Sequence, residues 1–472
     1  MVRVLYVVID NAGDDPLSHF GMNSTTTVRP TKVVERFTGN NQVSGRESVE
    51  LSSNLSAESS SVRVNDVSAA ELDIPDSGWR AWLTVLGAFC ANGITIGFVN
   101  STGTIQDYLL THQLADESSS SVGWIFSIFI FLMFFCGIQA GPLVDIYGAT
   151  PLLVPGCLLW CLALMMMSFC TEYYQFILSL SILGGVSTSL IYNPGYTVIG
   201  QWFTSKKPLA MSIVAIGSVS ISSFLPIVLS DLFSSLGFAW GIRIVGFIFM
   251  GLSIICCFTV KSRLRSTRKY NWREASIDFK SFKSANYTWC VAAALLSEWA
   301  VFLPALYIVS YCRSVLNYSD QESNLFLVYQ NVSSIAGRIL AGFAAKYYGS
   351  FNVMAVANLL CAISVLGIWI PGGMSHEGMV AFAVTFGMFS GASFCVAPPC
   401  IAHISTPTNF GKRYGTAFAC VSVAVLTSLP IGGALTGNDY LGMKITTGLV
   451  YVAAAVCTMI SRHYTPHVDY RV

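Results

Sequence analysis

The chain has 472 residues, 53% of them apolar and only 11% charged, with 26 basic against 25 acidic side chains. Soluble domains carry about a quarter charged residues, so a water-exposed surface of this size would lack charge, whereas a bilayer accepts apolar surface. The balanced charge leaves no electrostatic case for nucleic-acid binding.

Residues 1–75 are polar, with Ser/Thr-rich runs such as NSTTTV and SAESSSV, and MVRVLYVVID lacks the pattern of a cleaved leader. This stretch reads as a disordered cytoplasmic tail, a solvated tether. From Gly78 onward, apolar segments long enough to cross a bilayer recur between short polar or Gly/Pro breaks. They fall near 80–106, 121–142, 149–170, 173–199, 207–231, 237–260, 287–312, 322–345, 351–371, 377–402, 412–434 and 443–462. The predicted fold is an all-α polytopic membrane protein, with twelve transmembrane helices in two pseudo-symmetric six-helix bundles. The bundles are expected at 76–260 and 287–462. A basic cytoplasmic linker (261–286) joins them, and a short cytoplasmic C-terminus (463–472) follows.

Lys and Arg concentrate in the tail, in the even-numbered connections (Lys206 and Lys207; Lys261 to Lys283; Lys346; Lys412 and Arg413) and at the C-terminus. The odd-numbered connections carry mostly acids, such as Asp116, Glu117 and Glu172. That alternation places both termini in the cytoplasm. The plasma membrane is the expected location, with the vacuolar membrane as the alternative. The linker reads as a topological anchor that can also meet anionic lipid headgroups.

Two local patterns repeat. Ala140-Gly141 with Asp145, Tyr147 and Gly148 recurs as Ala341-Gly342 with Lys346, Tyr348 and Gly349 close behind, at an offset near 201. Leu225-Pro226-Ile227 recurs as Leu429-Pro430-Ile431. Repeats in equivalent spans argue for parallel halves. Gly141 and Gly342 would let helices approach closely, and Gly148 and Gly349 would permit tight turns. Asp145 and Lys346 stand at helix ends, where a charge can pair across the halves or with a helix dipole. These six residues form a candidate latch for the conformation closed to the cytoplasm, or else an ordinary polar interface.

The segment Gly141-Pro142-Leu143-Val144-Asp145-Ile146-Tyr147-Gly148 resembles the loop motif of the major facilitator superfamily, without its usual basic residue. Asp76-Ser77-Gly78-Trp79-Arg80-Ala81-Trp82, the run Gln201 to Ala210, and Gly337-Arg338-Ile339-Leu340-Ala341-Gly342 are similar to the monocarboxylate porter family, in its fungal branch. The resemblance covers about residues 76 to 462 and implies alternating access with a substrate site near the midplane. Where its proton-linked animal members carry a Lys and an Asp, this chain has Asn100 and Ser334. Proton-linked lactate transport is therefore not what these positions support.

Ionisable residues inside a membrane are functional candidates by default. Arg338 would attract an anionic or polar substrate through its planar fork of donors, or serve as a structural cation. Glu298 is a candidate coupling residue for protons, a partner for Arg338, or a vestibule residue. Arg243 lies where snorkelling explains it. Asn100, Tyr192 and Asn193 are candidate lining residues, with Asn193 followed by a helix-breaking Pro194. Asn317-Tyr318-Ser319 is a glycosylation sequon in an external loop. The 14 cysteines are scattered through apolar runs and read as packing residues. With no metal-site spacing and no phosphate loop, neither a metal nor a cofactor is expected.

The leading function is a secondary transporter for a small organic solute, a carboxylate or an amphipathic metabolite. Its partners would be that substrate, the lipid bilayer and, as candidate coupling ion, protons. Efflux of a fungal secondary metabolite is one alternative, and a solute-sensing receptor on a transporter fold is another. An enzyme is not expected, since the six His are scattered.

Overall fold

A computed structural model describes residues 78–263, 278–435 and 440–465. The tail, most of the basic linker and the last seven residues lie outside the described residues, and so do the expectations placed on them.

The first half runs α1 (Trp79–Thr111), α2 (Ser119–Phe135, continued by Gly137–Tyr147), α3 (Thr150–Met167), α4 (Tyr173–Trp202), α5 (207–236) and α6 (238–259). The second half runs α7 (Ala285–Ser314), α8 (Asp320–Tyr348), α9 (Ser350–Gly372), α10 (His376–His403), α11 (Phe410–Leu435) and α12 (Leu441–His463). Starts are set by local chemistry. The Ser118 hydroxyl accepts from the Ser121 amide at the head of α2, and Ser319 with Glu322 forms a reciprocal capping box at the head of α8.

The twelve helices match the twelve expected spans, with three differences, one being that α2 runs to Tyr147 rather than 142. The first span reaches Thr111 rather than 106, because α1 resumes after a break at Asn100 and Ser101. The fifth and sixth spans follow without a loop: the chain reverses at Gly237, whose φ of 78° suits glycine. Among the described residues, nine segments are long and apolar enough to cross a membrane, counting α5 and α6 as one. The helices α8 and α11, at 29 and 26 residues, have the length and complete the set. α8 is less apolar because Gln330, Asn331, Ser333, Ser334 and Arg338 interrupt it.

Each half has its own core. Phe98, Phe129, Trp160 and Phe249 pack in the first, and Trp369, Phe382, Phe386 and Tyr451 in the second. Aromatic pairs at such spacings add to burial. Outside, large apolar side chains such as Leu158, Phe169, Phe224, Phe258 and Val356 are exposed, as a lipid-facing belt requires.

One end of the body gathers the start of α1 and the end of α12, and we call it the terminal face. The Thr84 hydroxyl donates to the Thr259 carbonyl, tying the start of α1 to the end of α6. The Ser461 hydroxyl donates to the Asn286 carbonyl, tying the end of α12 to the start of α7. What is described of the linker is docked there at both ends. The Trp202 indole donates to the Lys261 carbonyl, and Asp278 pairs with Lys412 at 3.8 Å.

Candidate functional site

A cavity of about 1630 Å³ opens on the face opposite the terminal face, between the two halves. Its upper wall comes from the far ends of α1, α5 and α7, including Gln106, Ser230 and Ser310. Lower down, the lining mixes polar side chains (Asn100, Gln330, Ser334 and Ser390) with apolar ones (Ile130, Phe134, Phe302 and Phe394), both sets drawn from both halves. Asn100 reaches this wall because α1 is irregular there. A π-helical stretch over Gly93–Gly97 is followed by a turn, and the Ser101 hydroxyl bonds the Gly97 carbonyl. Irregular backbone at membrane depth is tolerated where it lines a cavity.

Arg338 lies at the floor of this cavity and is 5% exposed. Its Nη1 donates to the Ala215 carbonyl and, at 2.8 Å, to the Ser218 hydroxyl, both on α5 of the other half. Its guanidinium carbon sits 5.0 Å from the centre of the Phe394 ring, in cation–π range. Its Nε is buried without a hydrogen-bond partner. One edge of the fork thus holds the halves together, and the Nε has a donor to spare. A carboxylate binds such a fork through two parallel bonds.

Below the cavity, aromatic rings close the path. The Tyr414 hydroxyl donates to the Tyr192 hydroxyl across the halves at 2.9 Å. Tyr196, Phe134 and Phe418 pack around that pair at ring separations of 4.5 to 5.9 Å. Tyr192 and Asn193 therefore do not line the open cavity, as the sequence reading had them. Both belong to the sealed floor, because α4 is buried along nearly its whole inner half. Asn193 donates to the Ser189 carbonyl, and its Oδ1 faces Gly137, where any side chain would collide.

Glu298 is 2% exposed and its Oε2 has no hydrogen-bond partner. It lies in electrostatic reach of Arg338 and of Tyr192, Tyr196 and Tyr414. It makes no salt bridge with Arg338, so the direct pairing expected as one option is absent in this conformation. Arg243 donates to the Ser168 hydroxyl and stacks between Phe169 and Trp240, a structural placement.

The terminal face is shut by two crossings. At the first, the ideal Cβ position of Gly141 is 2.0 Å from the Gly411 carbonyl oxygen, so only glycine lets α2 meet α11. Asp145 accepts from the Gly411 and Lys412 amides at 3.0 and 2.8 Å, satisfying the first turn of α11. At the second, Gly342 brings α8 against Ser212 of α5. Lys346, expected to mirror Asp145, does not reach across among the described residues. Its ammonium lies 5.5 Å from the ring of its neighbour Tyr347. Gly148 and Gly349 end α2 and α8 with φ of 85° and 82°.

Several partners were missed from sequence. Ser218 and the Ala215 carbonyl gave no signal. Tyr414 gave one, since Phe410, Tyr414 and Phe418 fall on one face of a helix and match the Tyr192–Tyr196 pair on α4. The turn of the other half that receives Asp145 is itself braced. Asp278 pairs with Lys412, and the Arg413 Nε donates to the Ser281 hydroxyl at 2.9 Å.

The Major Facilitator Superfamily profile matches residues 81–384. An MFS-type transporter of Gibberella moniliformis is 37% identical over 83% of this chain and 92% of its own length. The aspyridones efflux protein of Emericella nidulans is 36% identical over 78% and 74%. The riboflavin transporter of Saccharomyces cerevisiae is 31% identical over 83% and 79%. Among solved structures, a bacterial homologue of the iron transporter ferroportin in an outward-facing state superposes with a TM-score of 0.64 at 13% identity. It covers 83% of this chain and 100% of that one, a likeness of fold.

Proposed function

The chain belongs to the Major Facilitator Superfamily, and we propose that it exports amphipathic organic acids from the cell by alternating access. As a member it is an integral membrane transporter for a small organic solute. The terminal face is the cytoplasmic one, on the strength of the basic even-numbered connections, and the plasma membrane is the location. The conformation described is then outward-open. Asn317 is exposed at the open face, where its sequon is accessible for glycosylation.

One observation carries the cargo reading: the Arg338 guanidinium, with a spare donor, at the floor of a large cavity whose lining mixes polar and aromatic side chains. Pockets for drug-sized ligands run to roughly 1,000 Å³, so a three-carbon acid would leave most of this cavity full of water. Assignment to the monocarboxylate porter branch rests on the entry motif of α1, the start of α5 and the Gly-Arg pair of α8. Within that branch, Asn100 and Ser334 remove two charges, and Glu298 is left as the proton-coupling candidate.

Export is favoured by relatives that are efflux proteins of secondary metabolites. Import of a flat heteroaromatic is the second reading, favoured by the riboflavin-transporting relative and by Phe134, Phe302 and Phe394 on the wall. Metabolite profiling inside and outside cells, with and without the gene, separates them. Export predicts that an acidic amphipathic compound accumulates inside the deletion strain and disappears from the medium. A compound that instead stays outside and is depleted inside overturns export.

A further inference from the structure

We infer that a groove on the lipid-facing side of the second half binds one anionic phospholipid of the cytoplasmic leaflet. The groove holds about 840 Å³ between α7, α9 and α12 and is separate from the transport cavity. Its walls are Trp289, Val356, Leu359, Val456 and Met459, all exposed, and no polar side chain interrupts them. The three helices make this face concave, a shape that can cradle a chain.

Length and charge identify the occupant. The groove runs along α12 from Val452 to Tyr464, about 18 Å at 1.5 Å per residue. One leaflet of a bilayer core about 30 Å thick is of that order. The mouth lies at the terminal face and is bordered by His463 and Tyr464. Arg462 and His463 form the last turn of α12. The Ser461–Asn286 hydrogen bond brings the start of α7 beside that turn, and the exposed Lys283 lies just upstream of Asn286. An apolar slot one leaflet deep, with basic groups and interfacial Trp and Tyr at its mouth, matches an acyl chain below an anionic headgroup. That it is the cytoplasmic leaflet rests on the orientation proposed above.

Quenching by brominated lipid tests the site without reference to orientation or transport. The full-length protein is placed in phosphatidylcholine nanodiscs doped with dibrominated phosphatidylserine or, at the same mole fraction, dibrominated phosphatidylcholine. The Trp289 signal is the difference between the native protein and Trp289→Phe. Quenching of that signal should be about tenfold steeper for the serine lipid, as two basic contacts near a surface would give. The paired Lys283→Ala and Arg462→Ala substitutions should bring the ratio to about one. Equal quenching of the native protein by the two lipids overturns the inference and leaves the orientation untouched. A serine-lipid preference that survives the paired substitution also overturns it, since the headgroup would then be read elsewhere.

Discussion

The crossings of α2 with α11 and of α5 with α8 are built on repeat-related glycines, Gly141 and Gly342, yet a different charge secures each. At the first crossing, Asp145 sits at the terminal face and accepts from two amides of α11. At the second, Arg338 sits a full turn deeper than Gly342 and donates to α5. Both charges bind backbone of the opposite half, so both favour the state closed at the terminal face. The difference is access. Arg338 is part of the cavity wall, whereas Asp145 lies beyond the sealed floor. An anion entering the cavity can compete for the Arg338 fork and can do nothing to Asp145. On the proposed function, one crossing would respond to cargo and the other would hold the resting closure.

The largest effect should come from Arg338→Ala. Two charge-assisted hydrogen bonds from the guanidinium to an anionic cargo contribute about 1.5–3 kcal/mol each, so transport in proteoliposomes should fall by about 100-fold or more. Size-exclusion behaviour should stay that of the native protein. Native transport by this variant would remove the responsive crossing from the mechanism. Gly141→Val comes next. Its Cβ would overlap the Gly411 carbonyl, which is backbone and cannot yield. Spin-label distances between the terminal ends of α2 and α11 should shift toward the open state in most molecules. Gly342→Ala should shift the α5–α8 distances less, because there the obstacle is the Ser212 side chain. Equal shifts would mean that the two crossings are mechanically alike.

Asp145→Asn is a smaller change. The amide keeps one acceptor oxygen but gives up the charge that faces a helix N-terminus. Charge-assisted bonds and the helix terminus together account for about 1–2 kcal/mol, so the closed-to-open ratio should fall by about tenfold. The same spin-label pair reads it.

How much of this was legible in the sequence follows from what kind of interaction each part uses. The spans were legible because a bilayer imposes length and apolarity on each helix by itself. The turns at Gly148 and Gly349 were legible because positive φ has a residue signature. Asp145 was legible as a charge at a helix end, but not its partner, since the amides of Gly411 and Lys412 are unremarkable in sequence and become a site only at the start of α11. Arg338 was legible as a costly charge, whereas its hold on the Ala215 carbonyl was not, because any helix carbonyl can accept. Tyr192 and Asn193 were placed on the wrong surface for a related reason. Polarity shows that a residue faces the pathway, while the floor and the open cavity are different stretches of it in any one conformation.

The smallest effect tests the comparison most sharply. Lys346 is the repeat equivalent of Asp145 and stands one turn beyond Gly342, level with the first turn of α5. That turn begins at Lys207, next to Lys206, and a helix N-terminus carries partial positive charge. A cation there gains nothing from the dipole, which explains why Lys346 leans on Tyr347 instead. Lys346→Ala should then change the α5–α8 distance distribution by less than about twofold, as surface substitutions do. Lys346→Asp should favour closure, because it supplies the anion this crossing lacks. The gain is about 0.3–1 kcal/mol for a charge at a helix end, or roughly a twofold to fivefold shift. If Lys346→Ala instead opens the crossing as far as Asp145→Asn opens the other, the two crossings share one latch chemistry. The division between a responsive and a resting closure would then fail.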